Sequence, residues 1–76
     1  MELTKFIKKF ASLFDETETE VFSPQTQFKN LAEWSSLIAL AVIAMIDDEY
    51  NVTIKGNDIR NAVTIEDLFK VVKALK

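Results

Sequence analysis

The chain has 76 residues, 49% of them apolar, enough to build one packed core and too few for two domains. It contains no cysteine and no histidine, which excludes disulfide frameworks, thiol nucleophiles, serine–histidine triads and the usual zinc sites. A net charge of −3 and a pI near 4.8 argue against a nucleic-acid partner.

Leu3, Phe6, Ile7, Phe10, Leu13 and Phe14 recur at helical spacing and predict a first helix over about residues 2–14. Lys5, Lys8, Lys9 and Ser12 fall on its other faces. Asp15 to Gln27 is polar and reads as a long loop, with Val21 and Phe22 as anchors into the core. Loops of this length in small domains are usually functional or partly structured. Phe28 to Leu31 predicts a short helical turn. A second helix is expected from Ser35 or Ser36 to Glu49, with Ser35 as a natural N-cap. Its apolar run, Leu37 to Ile46, is about half the length of a membrane span. Tyr50 to Ile54 is extended by composition, and a lone segment cannot make a sheet, so it reads as a loop that tucks Val52 and Ile54 inward. Gly56-Asn57-Asp58 reads as a turn and Asp58 to Asn61 as a short helix. Thr64-Ile65-Glu66-Asp67 resembles a capping box, with Asp in place of the commoner Glu. Ile65, Leu68, Phe69, Val72 and Leu75 then trace a last helix, and Glu66 and Lys70 form an i,i+4 pair. The fold expected is all-α: a small bundle of three main helices plus one short helix, with a long first loop. Met1 to Lys5 lacks the basic segment and apolar block of a secretory signal. A soluble, cytoplasmic protein with no membrane span is the expectation.

The order and spacing of Phe28, Ser36-Leu37, Asp47-Asp48-Glu49-Tyr50, Ile54 and Thr64-Ile65-Glu66-Asp67-Leu68 resembles the acyl carrier protein family. The similarity covers nearly the whole chain and is strongest from Phe28 to Leu68. In that family a serine, usually preceded by Asp and followed by Leu, carries 4′-phosphopantetheine. The resemblance implies that Ser36 is the attachment residue, with Ser35 standing where the family has Asp. It implies a monomeric carrier with no catalysis of its own, shuttling acyl chains in fatty-acid, polyketide or related synthesis, with a peptidyl carrier as a near neighbour. Its partners would be a phosphopantetheinyl transferase using coenzyme A, and acyl-transfer, ketosynthase or ligase enzymes. Ser35, Leu37, Ile38, Val42, Asp47 and Asp48 are the expected partner-facing residues.

Each of these residues also has a plainer role. Ser36 can serve as a helix cap alone. Family members usually carry several acids along the second helix, whereas Ile38, Ala39, Ala41 and Val42 leave its first turns uncharged. Either a wider core covers this apolar helix, or an exposed strip docks a partner, with part of Ile38 or Val42 accessible to solvent. Asp47, Asp48 and Glu49 lie at the negative end of the helix macrodipole, where acids are mildly unfavourable. Partner recognition or a solvated helix end accounts for them, and their divergence around the helix gives no metal role. Trp34 packs as a staple at the helix start or guides the prosthetic arm. Phe28, Leu40, Ile43, Ile46, Ile54, Ile59, Ala62, Ile65 and Leu68 read as core, with Ala62 small enough to leave room for cargo. Lys70, Lys73 and Lys76 read as a solvated face. The alternative function is an unmodified helical interaction module that binds through the second helix. An enzyme using Asp47 and Glu49 with a lysine ranks third.

Overall fold

Phe6 and Phe10 sit on one stripe of the first helix and are both fully buried, which fixes how that helix lies on the rest of the chain. The computed structural model describes residues 3–76, so the Glu2 start expected for this helix lies outside the described residues. Four α-helices follow in order: α1 (Leu3–Ala11), α2 (Ser36–Tyr50), α3 (Gly56–Asn61) and α4 (Ile65–Leu75), with short 3₁₀ turns at Thr19–Val21 and Phe28–Asn30. Among the described residues there is no strand. The helices pack α1 on α4, α1 on α2 and α3 on α4.

Aromatic rings join these elements. Phe6 meets Phe69 of α4 at 5.4 Å and Tyr50 of α2 at 5.9 Å between ring centroids. Phe10 meets Phe28 edge-on at 5.3 Å, and Phe28 meets Trp34 at 5.1 Å. Phe14 packs on Phe22 at 5.0 Å. Such pairs add roughly 0.5–1.5 kcal/mol each beyond simple burial. The rings run from α4 through α1 to the residues that introduce α2.

α1 ends at Ala11, short of the expected Phe14. Its last turn tightens, with Leu13 N–H donating to Phe10 O at 3.2 Å and Phe14 N–H to Ala11 O at 3.0 Å. Ser12 Oγ donates to Lys9 O at 2.7 Å, the kind of local side-chain bond that competes with a helical ladder. Phe14 still reaches the core. In the first loop Phe22 is buried as expected, but Val21 is 47% exposed. Val21 ends a 3₁₀ turn, and the extended backbone at Phe22 sends the next side chain inward instead.

α3 begins at Gly56, so the expected turn at Gly56-Asn57 is helical. Asp58 is the cause: its carboxylate accepts the Lys55 N–H at 2.9 Å, which makes Lys55 the residue before the helix. Val52 and Ile54 are buried, as the alternating pattern implies. Asn51 ends α2 in the left-handed region (φ 57°), a conformation that Asn tolerates better than most residues.

The Thr64 capping box forms. Thr64 Oγ1 accepts Asp67 N–H at 3.1 Å, and Asp67 Oδ2 accepts both Thr64 N–H and Val63 N–H at 3.1 Å. The first loop completes the seal, with Thr26 O taking Ile65 N–H at 3.1 Å and Pro24 O taking Glu66 N–H at 3.0 Å. The Glu66–Lys70 pair does not close. The ion pair among the described residues joins Lys9 of α1 to Glu49 of α2 at 2.7 Å.

Candidate functional site

α2 is apolar around much of its circumference, yet its packing divides it cleanly. At about 100° per residue, Val42 and Ile46 project toward one side, and both are fully buried. Ser36, Leu37, Leu40, Ala44, Asp47 and Asp48 project toward the other, and all six are exposed. Leu37 is 78% and Leu40 is 63% open to solvent. This face begins with a hydroxyl, continues as a short apolar strip and ends in two carboxylates. Ser36 and Asp47 lie nearly in line on it, ~16 Å apart along the axis at 1.5 Å per residue.

The two serines have different roles in the structure. Ser35 lies in extended conformation as the N-cap, and its Oγ accepts Ile38 N–H at 3.3 Å. Its carbonyl accepts Ala39 N–H at 2.9 Å. Ser36 is the first helical residue and is exposed. None of the side-chain hydrogen bonds among the described residues uses its hydroxyl. The Ser36 and Leu37 N–H groups likewise have no partner among the described residues.

Several expected site residues fall elsewhere. Val42 has 0% exposure and belongs to the core, so it presents nothing to a partner; it shares the buried side with Ile46, one helical turn on. Leu40, expected in the core, takes the exposed position instead. Ile38 is half-buried and packs at the edge of the core. Asp47 and Asp48 face solvent, whereas Glu49 is held by Lys9. That contact raises the Lys9 pKa, chiefly through the hydrogen bond to Glu49. Trp34 is half-buried and packs against Phe14 at 6.5 Å as well as against Phe28, so it is packed rather than exposed beside Ser36, and its ring partners lie outside α2. Ala62 is buried in the core. A groove of about 340 Å³ lies instead between α1 and the first loop, lined in part by Leu3, Ile7, Phe22 and Pro24. None of its lining residues comes from α2.

Glu33 is the site residue that sequence reasoning missed. Its Oε2 accepts Asp15 N–H at 2.8 Å. Its Oε1 accepts Glu16 N–H at 3.1 Å, Thr17 N–H at 3.0 Å and the Thr17 hydroxyl at 2.8 Å. Desolvation pushes the Glu33 carboxyl up, but these donors outweigh it and leave the group below the ordinary glutamate range. No local pattern announces such a residue, because most of its partners are backbone N–H groups in a distant loop.

At the other end of α2 the Tyr50 hydroxyl is buried without a hydrogen-bond partner. Burial raises its pKa. Its ring packs on Phe6.

Comparison with known proteins returns no match: no family model, no curated protein and no solved structure matches this chain.

Proposed function

We propose that this chain is a carrier protein bearing 4′-phosphopantetheine on Ser36 and passing acyl groups between separate enzymes. The observation that supports this most is the division of labour between the serines. Ser35 caps α2, which leaves the Ser36 hydroxyl exposed and free for attachment. A phosphodiester on Ser36 would lie at the positive end of the α2 macrodipole, beside the two N–H groups that have no internal partner. The residues present therefore suit the group. When bound, it supplies the thiol that holds cargo as a thioester, which a chain without cysteine does not have. The chain itself orients the tether and offers a docking face. Leu37 and Leu40 provide apolar contact next to Ser36, and Asp47 and Asp48 provide charge for basic partner surfaces.

Incubating the purified chain with coenzyme A and a broad-specificity phosphopantetheinyl transferase tests this reading. Intact mass should rise by one phosphopantetheine in the wild type and stay unchanged in Ser36→Ala. A wild type left unmodified by several such transferases would overturn the carrier function. The exposed Leu37–Leu40 strip would then favour the second reading, an unmodified module that binds partners through α2.

A further inference from the structure

The first loop and the approach to Ser36 are far apart in sequence but joined in space through one carboxylate. Glu33 lies three residues before Ser36 and collects four donors from Asp15, Glu16 and Thr17. The loop it grips is acidic, since Asp15, Glu16 and Glu18 all surround the contact in sequence. Charge alone therefore opposes placing another carboxylate there, and the directed hydrogen bonds hold it. Trp34 reinforces the join from the apolar side, packing on Phe14 just before the same loop and on Phe28. Adjacent residues thus clasp the segment after α1, Phe14 to Thr17, to the segment that delivers Ser35 and Ser36.

We propose that Glu33 is a positioning residue: it pins the Asp15–Thr17 loop to the Glu33–Ser36 segment and so fixes where the Ser36 hydroxyl is presented. The part of this proposal that concerns modification rests on the carrier function; the part that concerns the α2 start does not. Without the clasp, the approach segment samples several positions, and a modifying enzyme meets the competent one only part of the time. An apparent affinity falls in proportion to the competent fraction.

The test compares the full-length wild type with Glu33→Ala, Glu33→Gln and Thr17→Val. Amide hydrogen exchange is read at Asp15, Glu16 and Thr17, and at Ile38 and Ala39 in the first turn of α2. Transferase kinetics are measured with each apo chain as the varied substrate. In Glu33→Ala, exchange should quicken about tenfold at both places, and KM should rise roughly five- to tenfold with kcat within about twofold. Glu33→Gln keeps an acceptor oxygen and should recover much of the wild-type KM. Thr17→Val loses one donor and should fall between. If Glu33→Ala does not fold, Glu33→Gln and Thr17→Val carry the same comparison. Faster exchange at Asp15–Thr17 with Ile38 and Ala39 unmoved would overturn the proposal, as would an unchanged KM in a folded Glu33→Ala. A wild type that no transferase modifies sinks the carrier reading instead, and exchange at Ile38 and Ala39 then decides the role of Glu33.

Discussion

The starts of α2 and α4 are built from similar residues and finished in opposite ways. Both have a hydroxyl residue as N-cap in extended conformation, Ser35 and Thr64. At α4 every early N–H is taken: Ile65 by Thr26 O, Glu66 by Pro24 O, Asp67 by Thr64 Oγ1 and Leu68 by Thr64 O. At α2 the Ile38 and Ala39 N–H groups are taken, and those of Ser36 and Leu37 are not, among the described residues. Helices leave such groups unsatisfied unless something outside the helix meets them. The first loop meets them at α4, and at α2 nothing among the described residues does, next to the exposed residue Ser36. One end is sealed as structure. The other is left open on a firm base, as the proposed attachment of a phosphodiester at Ser36 would require.

That base is the most sensitive part of the comparison. Phe28 is fully buried between Phe10 and Trp34, directly before the open end. Phe28→Ala should cost ~3–5 kcal/mol in urea denaturation, a large share of the stability of so small a domain. A loss below ~1 kcal/mol would mean that the open end does not rest on this ring. The caps come next. Thr64→Ala should cost ~1–2 kcal/mol, and Ser35→Ala only ~0.5 kcal/mol, because its bond is longer and exposed. On the proposed carrier function, Ser35→Ala should still accept phosphopantetheine on Ser36. Equal losses from the two substitutions would erase the distinction between a sealed and an open start.

The sealed end was the more legible of the two. Thr64 and Asp67 stand three apart ahead of an apolar stripe, and a capping box is a local signature of a helix start. Phe6 and Phe10 of α1, Phe14 just after it, and Ile65, Leu68, Phe69 and Val72 of α4 are buried as periodicity implies. Leu75, on the same stripe, is 56% exposed because α4 ends there, beyond the elements that cover its earlier turns. α2 resisted because nearly every residue in its first three turns is apolar. With no polar side to mark the surface, the pattern could not say that Val42 points inward and Leu40 outward; the positions of α1 and the aromatic rings decide that. Gly56 and Asn57 read as a turn because their own propensities favour one, and the Asp58 carboxylate bond to Lys55 N–H overrode it. Glu33 was invisible for a different reason: backbone donors carry no sequence signature. Ser36 stood out only through its spacing from the later landmarks.

The smallest expected effect concerns acid. Hydrogen bonds from the Thr64 and Val63 N–H groups hold the Asp67 carboxyl below the ordinary aspartate range. A carboxyl depressed in the folded state stabilises the fold above its unfolded pKa, and that contribution disappears as pH falls through the lower, folded value. The relevant window therefore opens near the ordinary aspartate pKa of ~3.9 and extends downward. Glu33 is depressed too, so acid destabilisation of the wild type alone would not separate the two groups. Asp67→Asn does, because it keeps an acceptor oxygen at the α4 cap while removing the charge and leaves Glu33 in place. Its melting temperature should sit slightly below the wild type at neutral pH, and the gap should narrow as pH drops through that window. A gap that stays constant down to ~pH 2 would show that the charge on Asp67 does not help seal α4. The cap would then act through its geometry alone, as the neutral Ser35 does at the start of α2.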